Sequence, residues 1–184
     1  MGGREGYERM YQAQFDAPSP GETVYGASRA PILSRATGFL RGFDLTMQIQ
    51  VGCPGGCLYC YVPTNAWFTS HRARGPGGRL WGYRVFNKDE VIAQLRQNLL
   101  AGVLRDRTIY WSGVTDPYAA PPAVTRGLWK TLIESPPPLR PRRIVVQTRF
   151  RPDRERMAAY AASTVPLDGG PAVVVSFSVG TGPG

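Results

Sequence analysis

An α/β fold is predicted for this chain by three observations. Apolar runs and helix-spaced segments alternate from Asp44 onward; the first run, Asp44–Val51, stops at Gly52; and a capping pattern opens the first helical segment. The order reads β-α-β-α-β-α-β, which argues for parallel strands joined by helical crossovers. Four such strands make a partial parallel (β/α) barrel with about four βα units.

Each element has its own signal. Asp44–Val51 reads as a strand from its apolar content. Asn87 reads as an N-cap, with Glu90 three residues on completing a capping box. Val91, Leu95, Asn98 and Leu99 then recur at helical spacing, and Gly102 ends the run. Arg107–Ser112 reads as a strand, Val124–Glu134 as a helix, Arg143–Gln147 as a strand and Pro152–Ala162 as a helix. Val173–Ser178 makes a last strand, and no covering helix follows it before Gly184. Residues 1–43 are rich in Gly, Arg and Pro without sustained periodicity, so they read as an irregular N-terminal extension to a core over 44–184. The early stop after the fourth strand reads as a truncated or frame-disrupted product.

Composition narrows the class. Forty-two per cent hydrophobic content suits a globular domain of 184 residues. No apolar run approaches the ~20 residues that cross a bilayer, and Met1–Met10 lacks a signal-peptide block. A cytoplasmic address and no membrane partner are therefore expected. The net charge of +9 admits a nucleic-acid partner, since clustered cations release counterions from phosphates. Against that, Lys88 and Lys130 are the only lysines, beside 22 Gly and 17 Pro, a profile that also arises from a GC-rich coding sequence. The loop Ser70–Gly82 carries His71, Arg72, Arg74 and Arg79 among four glycines and reads as a mobile basic segment.

All three cysteines fall within eight residues, Cys53-Pro-Gly-Gly-Cys57-Leu-Tyr59-Cys60. An odd, clustered set argues against a disulfide scaffold and for a metal or redox site. Three thiolates can hold three irons of a [4Fe–4S] cube and leave the fourth open, whereas electron-transfer clusters take four cysteines. Gly52, Pro54, Gly55 and Gly56 suit a loop that wraps tightly around a bulky group. A zinc site is the competing assignment, with His71 as its fourth ligand.

The C-x3-C-x2-C spacing with Tyr59 before the last cysteine resembles the cluster loop of the radical S-adenosylmethionine (radical SAM) superfamily. Trp111-Ser112-Gly113-Val114-Thr115-Asp116-Pro117-Tyr118, after the second predicted strand, resembles a signature of its spore photoproduct lyase-like branch. Val146-Gln147-Thr148-Arg149-Phe150 resembles that branch's Thr-Lys turn, with Arg149 where lysine is usual. The resemblance covers about Leu45 to Thr181, and a superfamily core usually has six βα units.

What it implies is a lyase-like enzyme that holds a [4Fe–4S] cluster on Cys53, Cys57 and Cys60. S-adenosylmethionine would chelate the open iron and be cleaved reductively to a 5′-deoxyadenosyl radical that abstracts a substrate hydrogen. Tyr59, Ser112, Gly113, Thr115, Asp116 and Arg149 would contact that cofactor, with Ser176 and Ser178 offered to its ribose from the fourth strand. An electron donor such as flavodoxin or ferredoxin is implied too. The chain has no cysteine outside the loop, which argues against a photoproduct lyase proper and for a relative whose substrate the sequence does not name. Two other readings stand beside this one: a non-catalytic iron–sulfur or zinc module that binds nucleic acid, and an inactive remnant.

Overall fold

The structure is a computed structural model that describes residues 24–54, Val62 and residues 84–177. These residues form two compact units. The smaller contains 24–28, 50–54, 62 and 84–87; the larger contains 29–49 and 88–177. The described strands are β1 (Val24–Ser28), β2 (Leu33–Arg35), β3 (Leu45–Met47), β4 (Gln50–Val51), β5 (Arg84–Lys88), β6 (Thr108–Trp111), β7 (Arg143–Thr148) and β8 (Val173–Phe177). The described α-helices are α1 (Val91–Leu100), α2 (Pro122–Glu134) and α3 (Arg154–Ala162).

In the larger unit five strands pair in the order β2-β3-β6-β7-β8. β3, β6, β7 and β8 run parallel, each beside its successor, and β2 joins the edge antiparallel to β3. The predicted α/β class is therefore present. β2 also lies within the stretch read as an irregular extension. Consecutive parallel strands with crossovers of one hand put their helices on one face. Accordingly Val91, Leu95 and Leu99 of α1, Leu128, Trp129 and Leu132 of α2, and Met157 and Tyr160 of α3 share one core. Ile109, Trp111, Ile144 and Val146 of the sheet meet them there.

Alternation sends the other residues of these strands to the opposite face. There Tyr110 packs with Ala36, Leu40, Phe43 and Val145 in a separate small cluster. Thr46, Thr108, Gln147 and Ser176 share that face by alternation. One face of the sheet is a dry helix-covered core, and the other mixes that small apolar cluster with polar side chains.

Three predicted elements need correction. The strand Asp44–Val51 is two strands in two sheets. Asp44 Oδ2 accepts from the Thr108 N–H at 2.7 Å and hydroxyl at 2.8 Å, which fixes β3 beside β6. Gln50 and Val51 instead pair antiparallel with Asn87 and Phe86. That pairing also removes the predicted capping box: Asn87 is a strand residue whose Oδ1 accepts from Gln50 Nε2 at 2.6 Å. Helix α1 starts four residues later, after Glu90, which has φ +49° and makes no side-chain cap. Finally, Ser112 falls outside β6.

Other boundaries follow local chemistry, although α2 opens two residues before the predicted Val124 and α3 two residues after the predicted Pro152. Gly102, at φ +69°, follows α1 in the left-handed region that favours glycine at a helix end. Pro122 opens α2, where a missing N–H costs no helical bond. Asp153 caps α3 by accepting from Arg156 N at 3.2 Å. Among the described residues no helix is long and apolar enough to cross a membrane.

Candidate functional site at the carboxyl edge of the sheet

Parallel strands bring the loops after their carboxyl ends to one edge, where open α/β sheets place ligands. In the larger unit, the loop after β6 carries Ser112, Gly113, Thr115 and Asp116, and the turn after β7 carries Arg149. Ser176 sits near the end of β8, in register with Gln147. The sheet thus delivers six of the predicted site residues to a common edge.

Asp116 organises that edge. Its Oδ1 accepts from Tyr118 N at 2.9 Å and from the Thr148 hydroxyl at 2.7 Å, and its Oδ2 accepts from Arg149 N at 2.7 Å. Thr148 Oγ1 in turn accepts from Phe150 N at 3.0 Å. One carboxylate therefore ties the β6 loop to the β7 turn. A carboxylate offers about four lone-pair sites, so these three bonds leave one acceptor position, on Oδ2.

The neighbouring residues are held differently. Ser112 is half-buried with φ +133°, a conformation L-residues rarely adopt and one that stores about 1–3 kcal/mol. Gly113 is buried; a Cβ there would stand 2.7 Å from Nε2 of Gln48, the residue just after β3. Thr115 is buried at 5% exposure. The Arg149 side chain is exposed, with its guanidinium carbon 5.8 Å from the Phe150 ring centroid. Ser176 is exposed on the strand at the described edge of the sheet.

Sequence reasoning missed Thr148, Gln48, Tyr110 and Gln147 as parts of this region. The Tyr110 hydroxyl donates to Gln147 Oε1 across the β6–β7 pair, on the face opposite the helices. Their positions two or three residues before the turns, out of phase with the apolar Ile109, Trp111, Ile144 and Val146, were the available signal. Nothing in the sequence marked Gln48. Behind the loop, Tyr118 accepts from Trp129 Nε1 at 3.0 Å, and burial pushes its phenol above the ordinary range.

Of the predicted cluster ligands, Cys53 is described, in the smaller unit. It is buried, at 6% exposure, and follows Gly52, whose φ of +89° only glycine adopts without strain. Cys57, Tyr59, Cys60 and Ser178 lie outside the described residues, as do His71 and the arginines of the Ser70–Gly82 loop. Among the described residues no group of three His, Cys, Asp or Glu side chains is placed to hold a metal.

No protein-family model, curated protein or solved structure matches this chain.

Proposed function

We propose that the chain is a radical SAM iron–sulfur enzyme whose core is part of a parallel (β/α) barrel. One observation carries the reading furthest: polar groups of the β6 loop and β7 turn gather at the carboxyl edge of a sheet whose parallel strands follow chain order. The helices cover one face of this sheet, and the opposite face holds a small cluster of Ala36, Leu40 and Tyr110, which is compatible with one side of a barrel wall. The chain's three cysteines, themselves within one stretch of eight residues, come after the first of these strands in the sequence.

The residues fit the groups that the reading requires. Three thiols match an iron cube with one open position, and the buried backbone turn at Gly52–Cys53 suits a thiolate shielded from water. Cys53, Cys57 and Cys60 would hold the cluster. Bound there, it supplies the single electron that cleaves the sulfonium of S-adenosylmethionine and starts hydrogen abstraction. Ser112 and the remaining lone pair of Asp116 would accept hydrogen bonds from the cofactor's ammonium group, and Arg149 would pair with its carboxylate. The internal bonds of Asp116 keep the β6 loop and β7 turn in register before any ligand arrives, which lowers the ordering cost of binding.

Anaerobic iron–sulfur reconstitution followed by electron paramagnetic resonance tests the reading. A [4Fe–4S] signal that shifts on addition of S-adenosylmethionine is the expected result. Iron bound without a shift would remove the cofactor assignment, and failure to bind iron would remove the cluster.

A further inference from the structure

The two sides of the five-stranded sheet end differently. On one side β2 lies antiparallel against β3. On the other, β8 has β7 as its only neighbour among the described residues. Natural sheets guard such an edge with charged side chains, proline or a bulge. β8, Val173-Val174-Val175-Ser176-Phe177, carries no charge and no proline, and it pairs with β7 without interruption. Val173 and Val175 pack against the helix-covered core, whereas Phe177, on the same face by alternation, is 50% exposed.

The surface beside this edge is apolar as well. Helix α3 turns Met157 and Tyr160 into the core, and Ser163 at its end binds Arg140 on the side of α2. Arg154, Ala158, Ala161 and Ala162 recur at i, i+4, i+7 and i+8 on the other side, all exposed. Val165 and Leu167, in the connection from α3 to β8, are 87% and 95% exposed. An open strand edge, an alanine stripe and two bare aliphatic side chains thus follow one another along one flank of the sheet.

We propose that this flank is the interface of a two-fold homodimer in which β8 pairs antiparallel with β8 of a second copy. Pairing about Val175 sets Val174 opposite the partner's Ser176 and Val173 opposite the partner's Phe177. The second is an aromatic–β-branched pair of the kind that stabilises neighbouring strands. Strands in a sheet lie about 4.8 Å apart and a crossover helix sits over the groove beside its strand, so the two-fold sets the two α3 helices about 10 Å apart. That is a packing distance for helices, and alanine faces let them meet without a clash.

Charge selects a second copy as the occupant. Helix α3 carries Arg154 at its positive N-terminal end and no cation in its last turn. Among the described residues Arg154 has no acidic partner. The two-fold turns α3 end for end, so each Arg154 reaches the negative C-terminal end of the other helix, where a cation is favourable. Glu155 lies further round toward solvent, at the helix end that suits an anion. β8 is uncharged, so no like charges face one another across the new strand pair. This assignment is independent of the iron–sulfur reading.

Sedimentation equilibrium of the full chain tests the proposal. Wild type should sediment at twice its 20.2 kDa at concentrations of about 0.1 mM and dissociate on dilution. Ala158, midway along the exposed stripe, lies near the two-fold axis. Ala158→Glu and Ala158→Lys should each be monomeric, and mixing them should restore a dimer, because equivalent positions face each other in an isologous contact. Arg154→Glu should weaken association about tenfold. Ala159→Glu, on the solvent side of the same helix, should leave association unchanged. A monomeric wild type, a dimer that survives Ala158→Glu, a Glu and Lys mixture that stays monomeric, equal effects at Ala158 and Ala159, or full affinity in Arg154→Glu would each overturn the proposal.

Discussion

Two polar nodes join neighbouring βα connections in the larger unit, one at each end of the sheet, and they are built in opposite ways. At the carboxyl edge the anionic Asp116 accepts three hydrogen bonds from the β6 loop and β7 turn, and it is only half-buried. Before β7, at the amino edge, Arg140 is 7% exposed. It donates to the Ile133 and Ser135 carbonyls at the end of α2, and to the Ser163 carbonyl, Ser163 hydroxyl and Thr164 hydroxyl after α3.

Neither node has an ionic partner among the described residues. Each instead neutralises backbone groups: Asp116 faces N–H donors, while Arg140 faces carbonyls at helix ends, where a cation also complements the helix dipole. They differ in burial. Arg140 uses its guanidinium to close the amino end of the core, while Asp116 keeps one acceptor position on Oδ2 and is only half-buried. In this sheet the buried node lies at the amino edge, and the half-buried one lies at the carboxyl edge, where we propose binding.

Removing Arg140 should have the largest effect. Arg140→Met leaves buried helix-end carbonyls without donors and should cost about 3 kcal/mol or more, read as a lower urea midpoint at unchanged m-value. Arg140→Lys should recover less than half of the loss, because an ammonium cannot span both helix ends as the planar fork does. Full recovery by lysine would show that charge alone matters.

Asp116→Asn should cost less, about 1–2 kcal/mol, since one side of the amide still accepts while its NH2 opposes a donor from Tyr118, Thr148 or Arg149. The same variant should abolish the cofactor-dependent change in the paramagnetic signal while retaining iron. Equal losses at Asp116 and Arg140 with the cofactor response intact would erase the contrast between the two edges.

Ser112→Gly sharpens the contrast from the other direction. Relieving φ +133° should stabilise the protein by about 1 kcal/mol in denaturant unfolding. A destabilised variant would mean that contacts of the serine side chain outweigh the backbone strain.

The smallest effect concerns Asp44. The Thr108 backbone N–H, its hydroxyl and Arg107 hold this carboxyl below the usual range, against a smaller opposing effect of burial. A carboxyl depressed in the folded state contributes stability that is complete above its unfolded value of about 4 and fades as pH falls through the lower folded value. Asp44→Asn should therefore flatten the acid limb of the stability–pH profile below about pH 4 and leave the neutral region parallel to wild type. An unchanged acid limb would remove Asp44 from the acid response.

The boundaries visible in the sequence were those set by local chemistry. Gly102 after α1 and Ala162 at the end of α3 were legible because a left-handed glycine and a change of helical pattern act within a few residues. The split of Asp44–Val51 and the lost capping box share a single cause that was not legible. Gln50 and Asn87 are 37 residues apart and compete for local roles only once β4 and β5 pair. Asp116 stood out in the sequence beside Thr115 and Pro117. Its actual partners were hidden because Thr148 lies 32 residues away and meets it only through the parallel register of β6 and β7.

The amino-acid sequence alone determined the alternation of strands and helices, the α/β class and the clustering of three thiols, since these depend on composition and spacing along the chain. Tertiary structure decided which face of the sheet is dry and which polar side chains are tied into the fold. Those properties depend on what lies across from a residue after folding: burial, a carbonyl instead of a carboxylate, or a neighbouring strand in register.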